Sequence, residues 1–162
     1  EPVDCDLAPA MVVVVVSAGR KTISSTQAMR HTMNTSPLYP AWAEASREDL
    51  RVALDAVRAR DLPRLGEVVE GNALGMHAAM IASRPSVVYW LPETLDVLHT
   101  VRVMRDEGFP VWATIDAGPN VKVLTTGEDA DQVAAVLRDR IPCATTSVRY
   151  PGGGVRVEEV TA

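Results

Sequence analysis

The sequence predicts an α+β domain: a mostly antiparallel sheet covered on one face by helices, with a helical insertion after the first strand. Three observations carry this prediction. Met11–Val16 is a continuous apolar run, five of its six residues valine, which suits a strand. Apolar residues then recur at helical spacing in several stretches between Ser24 and Gly108, the periodicity of amphipathic helices. Beyond Gly108 the period falls to two and a Gly-Pro turn follows, the pattern of two strands joined by a turn.

In order along the chain, Met11–Ser17 reads as a central strand buried on both faces,. Gly19 breaks it, and Arg20-Lys21 follow on an exposed loop. Ser24 and Gln27 stand at capping-box spacing, so a helix starts there and ends near Asn34, ahead of Ser36-Pro37,. Ser46 and Asp49 offer a second cap before Leu50, Leu54 and Val57,. A third helix follows Asp61-Leu62-Pro63 with Leu65, Val69, Asn72, Met76 and Met80 on one face, and Gly71 and Gly75 within it suggest close packing. Pro92 opens a fourth helix, carrying Leu95, Leu98 and Val101, that ends at Gly108,. Val111, Ala113 and Ile115 alternate as a strand, Asp116–Asn120 turns, and Val121–Leu124 returns. A helix with Ala130, Val133, Leu137 and Ile141 comes next, then final strands at Thr145–Tyr150 and Val155–Val160.

The chain of 162 residues, 47% hydrophobic and 23% charged, is read as one globular domain over 1–162,. A net charge of −5 gives no global basic field for nucleic acid or an anionic membrane,. Cys5 and Cys143 lack nearby Cys or His partners, which argues against a disulfide framework or a zinc site and favours the cytoplasm,. The Met11–Val16 run is too short to span a bilayer,. A start at Glu1-Pro2 without methionine suggests a processed product or a fragment.

Two segments stand out chemically. Gly19–Met29 places Ser24, Ser25 and Thr26 at a helix start behind Arg20 and Lys21. A helix N-terminus offers unsatisfied N–H groups and the positive end of the dipole to an anion. An ordinary Ser cap beside two solvated basic residues is the commoner arrangement. Asp116 leaves an apolar strand at a Gly-Pro turn, where rigid backbone could hold a catalytic carboxylate,. A turn-forming Asp bonded to nearby N–H groups explains the same pattern. His77, among Met76, Ala78 and Met80, reads as packed or hydrogen-bonded, His31 and His99 as helix-surface or boundary residues, and Asn72 as satisfying buried backbone near the site. Gly152-Gly153-Gly154 has no following Lys-Ser/Thr and is not a phosphate loop,.

Four blocks occur in order: Val16-Ser-Ala-Gly-Arg-Lys-Thr-Ile-Ser-Ser-Thr-Gln-Ala-Met29, Asn34-Thr-Ser36, Gly71-Asn-Ala-Leu-Gly-Met-His-Ala78 and Asp116-Ala-Gly-Pro-Asn-Val121. Together they resemble the C-terminal half of the mevalonate diphosphate decarboxylases, in the GHMP kinase superfamily, over nearly the whole chain. The resemblance implies a GHMP kinase C-terminal-type fold. It implies an ATP- and Mg²⁺-dependent conversion of mevalonate 5-diphosphate to isopentenyl diphosphate, ADP, phosphate and CO₂. It puts the essential aspartate on Asp116, facing the C3 hydroxyl, and the substrate-contacting segment on Ser25, Thr26 and Met29. Relatives carry Arg or Thr at the position of Thr26, so the contact here would be a hydroxyl where others use a guanidinium. It also implies a homodimer.

The family's Pro-x-x-Gly-Leu-x-Ser-Ser-type ATP loop is absent from these 162 residues, as are its diphosphate-holding basic residues. The expectation is therefore a C-terminal part that is inert alone and works with its N-terminal half as partner. Two alternatives stand beside it: a phosphomevalonate decarboxylase, and a non-catalytic ligand-binding or assembly module of the same fold.

Overall fold

The structure is a computed structural model that describes residues 7–19 and 23–153. Arg20, Lys21, Cys5 and the expected strand at Val155–Val160 lie outside the described residues. The elements run β1 (Pro9–Val15), α1 (Ser25–Thr35), α2 (Tyr39–Ala59), α3 (Leu62–Ile81), α4 (Pro92–Asp106), β2 (Trp112–Ile115), β3 (Val121–Thr126), α5 (Ala130–Arg140) and β4 (Thr145–Arg149). The four strands form one sheet in the order β2-β3-β1-β4, with every neighbouring pair antiparallel. Helices α1 to α3 form the expected insertion after β1.

β1 is central, as its composition predicts, but it is not buried equally on both sides. Val12 and Val14 are fully buried, while Met11, Val13 and Val15 are half-buried. The reason is unequal cover. Val12, Val14, Ala113, Ile115, Val121 and Val123 pack against Val97, Val101 and Met104 of α4 and Val133 and Leu137 of α5. Side chains alternate across a strand, so Trp112 and Leu124 face the other way, where they meet Leu62 and Leu65 of α3.

The helices are thus not confined to one face. α3 lies against β2, an edge strand whose outward groups need partners. The Ala113 N–H donates to Glu70 Oε2 at 2.7 Å, and Arg105 Nη2 reaches the same oxygen at 2.6 Å. The Arg105 guanidinium also sits 5.5 Å from the centroid of the Trp112 ring. Gly66 lets the backbone of α3 approach that ring, because a Cβ there would stand 2.0 Å from Trp112 Cδ2. Gly75 approaches Trp42 in the same way at 3.0 Å, whereas Gly71, expected to be close-packed, has nothing within 4 Å.

α2 begins at Tyr39, earlier than its expected start at Ser46. Pro40 in the first turn supplies a helix-ready φ, and Leu38 caps without a side-chain bond,. Ser46 and Asp49 are therefore mid-helix and turn their side chains to α3. Among the described residues no helix is long and apolar enough to cross a membrane.

Candidate active site

Asp116 follows the last residue of β2, so a buried strand ends in a carboxylate. Its side chain is 82% exposed and pairs through Oδ2 with Lys122 Nζ. Lys122 stands on β3 with its Cα opposite Thr114, which aims its ammonium along the hairpin at the turn. An ion pair this exposed adds little stability; its consequence is orientation of the carboxylate.

Neighbouring elements grip the backbone of the turn. His77 Nε2 lies 3.1 Å from the Asp116 carbonyl; a carbonyl only accepts, so Nε2 carries the proton. His77 is 1% exposed, and its ring sits 5.2 Å from that of Trp90. Burial lowers its pKa from 6.5, opposed by the Asp116 and Ile115 carbonyls and the Asp116 charge. The packed, hydrogen-bonded reading of His77 therefore holds, and the carbonyl it binds is that of the candidate carboxylate. From α4, Thr94 Oγ1 donates to the Pro119 carbonyl at 2.8 Å and accepts from the Leu91 N–H at 3.1 Å. The Asn120 side chain bonds the backbone of Val16 and Ser17 at the exit of β1.

The start of α1 has the expected capping box. Gln27 N donates to Ser24 Oγ at 3.2 Å, and Ser24 N donates to Gln27 Oε1 at 3.3 Å. Ser25 and Thr26 are exposed in the first turn, which holds no acidic residue. Ala28 is fully buried and joins Ala117, Met80, Val87 and Tyr89 in one apolar cluster, with Ile23, Met29 and Met76 packed on it. Tyr89 Oη donates to the Ile23 carbonyl at 3.1 Å. The fold thus brings Met29 and the start of α1 to the Asp116 turn by packing Ala28 and Ala117 into one cluster.

A cavity of about 340 Å³ opens beside Asp116 between α2, α3 and β2, lined among others by Ser46, Asp49, Asn72, Met76 and Thr114. Asn72 does not serve buried backbone there. Its Nδ2 donates to Ser46 Oγ at 2.7 Å and Asp49 Oδ2 at 2.8 Å, and its own carbonyl accepts from Trp42 Nε1 at 3.2 Å. It pins α2 to α3. His31 Nε2 contacts the Pro85 carbonyl at 2.7 Å, and His99 is exposed.

Lys122 and Thr94 escaped the sequence reading as site residues, and Asn120 entered it only as part of the turn segment that carries Asp116. Lys122 had a usable signal: a cation at the second position of the return strand of a hairpin can point back to the turn. Thr94 carried only its helix position.

The family model for the mevalonate 5-diphosphate decarboxylase C-terminal domain matches residues 11–159. The human diphosphomevalonate decarboxylase is 34% identical over 157 residues, covering 94% of this chain and 39% of that protein. A phosphomevalonate decarboxylase of Haloferax volcanii is 32% identical over 100 residues, 61% of this chain and 30% of that one. Mevalonate pyrophosphate decarboxylase from Streptococcus pyogenes superposes with a TM-score of 0.89 at 33% identity, over 96% of this chain and 48% of that chain. A structure of MDDEF in complex with MVAPP, AMPPCP and magnesium gives a TM-score of 0.82 at 30% identity, over 94% of this chain and 50% of that chain. The chain spans about a third of the length of the curated relatives it matches.

Proposed function

The chain belongs to the mevalonate 5-diphosphate decarboxylase C-terminal domain family, and from that premise we propose that it supplies the C-terminal part of the active site of an ATP-dependent decarboxylase. The enzyme would convert mevalonate 5-diphosphate to isopentenyl diphosphate, ADP, phosphate and CO₂. The observation that carries this reading is the exposed Asp116 carboxylate on a turn held by His77 and Thr94, packed against the start of α1.

Asp116 would face the C3 hydroxyl and accept or orient its proton. As the phosphorylated oxygen departs, positive charge grows at C3 and the substrate carboxylate releases its electrons with CO₂. The Asp116 carboxylate favours that developing charge. Ser25 and Thr26, with the N–H groups of the first turn of α1, would contact the anionic substrate, and Met29 would line its apolar side,. Among the described residues no group of three or more His, Cys, Asp or Glu side chains could hold a metal ion. ATP and Mg²⁺ would be held mainly by the N-terminal half, where bound ATP supplies the phosphoryl group. The complete enzyme would be a homodimer, with the exposed Leu38 and Leu50 of the helical insertion offering apolar surface for the contact; small-angle scattering tests this.

The test of function is CO₂ release from mevalonate 5-diphosphate and ATP by this chain together with its N-terminal half. Turnover by the pair and none by the chain alone is expected; a folded pair without turnover overturns the reading. The likeness to the Haloferax volcanii phosphomevalonate decarboxylase supports testing one alternative, a monophosphate substrate. Parallel assays with mevalonate 5-phosphate and 5-diphosphate separate the two.

A further inference from the structure

Asn120 closes the Asp116 turn, and its side chain reaches out of it. Oδ1 accepts from the Val16 N–H at 3.0 Å and the Ser17 N–H at 3.1 Å, and Nδ2 donates to the Ser17 carbonyl at 3.1 Å. The backbone ladder between β1 and β3 has its last pair at Val14 and Val121. The Asn120 amide therefore continues the hydrogen bonding where the strands have stopped. Val16 and Ser17 open the connection that leads to α1, whose first turn carries Ser25 and Thr26. One side chain thus ties the turn that carries Asp116 to the exit of β1.

We infer that Asn120 is a positioning residue: its amide clamps the catalytic turn to the exit of β1 and so fixes how the turn presents the Asp116 carboxylate, beside the apolar cluster that holds α1. Three bonds to backbone, both acceptor and donor in use, fit an amide and nothing smaller. An alanine loses all three. An aspartate keeps both acceptor roles but loses the donor, and sets an oxygen against the Ser17 carbonyl. The apolar cluster that holds Ala117 and Ala28 survives either change, so the domain keeps its fold while the turn loses its tie to Val16 and Ser17.

The kinetic arm of the test rests on the proposed decarboxylase reading, and the exchange arm does not. In the complete protein, amide hydrogen exchange and steady-state kinetics are compared for the parent, Asn120→Ala and Asn120→Asp. Asn120→Ala is expected to speed exchange at Val16 and Ser17 by about tenfold or more while Val12 and Val123 stay protected. It should also raise KM for mevalonate 5-diphosphate and lower kcat, together about tenfold or more. Asn120→Asp should keep the two amides protected and recover part of the KM. Unchanged exchange at Val16 and Ser17 in Asn120→Ala overturns the clamp; faster exchange with unchanged kinetics overturns its part in the reaction. If Asn120→Ala does not fold, Asn120→Asp decides: protected amides with a raised KM support the inference, and unprotected amides overturn it. A parent that releases no CO₂ overturns the proposed function, and the exchange data still decide the clamp.

Discussion

Replacing His77 by Phe deletes one hydrogen bond while leaving a ring of similar size against Trp90. The bond removed is the Nε2–H to the Asp116 carbonyl, 3.1 Å long. A neutral bond of this kind is worth about 0.5–1.5 kcal/mol net, and an acceptor left wholly unsatisfied would cost about 1–3 kcal/mol. The carbonyl belongs to a residue at the surface, so water relieves part of that cost. The expected loss is about 1–2 kcal/mol, or roughly 2–8 °C in Tm for a domain of this size. Burial is the largest influence on the His77 pKa and holds it below 6.5. The unfolded chain therefore takes up the proton first, so the parent is fully stable above about pH 6.5 and loses stability as the pH falls toward the lowered folded value. The Phe variant has no such proton. Urea unfolding at pH 7.5 and pH 5.5 should show the stability gap between parent and variant narrowing on acidification. Turnover should drop about 10- to 100-fold at pH 7.5, because the Asp116 backbone loses a fixed support. A gap that is constant or widens at pH 5.5, or unchanged turnover, would refute the reasoning.

Asp116→Asn should leave KM within about threefold and cut kcat by about 10²–10⁴-fold, read by CO₂ release; near-normal kcat would remove Asp116 from the chemistry. Glu70→Leu strips the acceptor from the Ala113 N–H and leaves Arg105 with only its bond to the Val111 carbonyl. With the Glu70 side chain 13% exposed and that of Arg105 32%, the cost should be about 2–4 kcal/mol in urea unfolding. A loss under about 1 kcal/mol would mean that water replaces Glu70 at the sheet edge. Gly66→Ala drives a Cβ into the Trp112 ring, with its three nearest atoms at 2.0, 2.3 and 2.5 Å. It should destabilise by about 1–3 kcal/mol or more and change the Trp fluorescence as the ring is displaced; an unaltered Tm and spectrum would contradict the observed packing of α3 on β2.

The legibility of the fold followed the range of the interactions. The capping box at Ser24 and Gln27, the hairpin around Asp116 and the insertion after β1 are written in spacings of a few residues, and each is found where the sequence predicts it. The start of α2 was misplaced because Ser46 and Asp49 look like caps locally while their side chains are engaged by Asn72 on another helix. Two-sided burial of β1 was overstated because a run of valines does not say how many layers cover a sheet. Gly71 and Gly66 look alike in sequence, and only the approach of Trp112 separates them.

The sequence by itself determined the α+β class, the order of the elements and the family, because periodicity, caps, turns and co-linear blocks are local or ordered along the chain. It also singled out Asp116, Ser25, Thr26 and Met29 as residues to watch. Tertiary structure alone decided what holds them: His77 and Thr94 on the turn, Lys122 on the carboxylate, Asn120 on the exit of β1, and Ala28 and Ala117 in one apolar cluster. Except for Lys122, these partners lie far along the chain from the groups they hold. Such contacts leave no periodic trace in the sequence, because they exist only once the sheet and helices have closed around them.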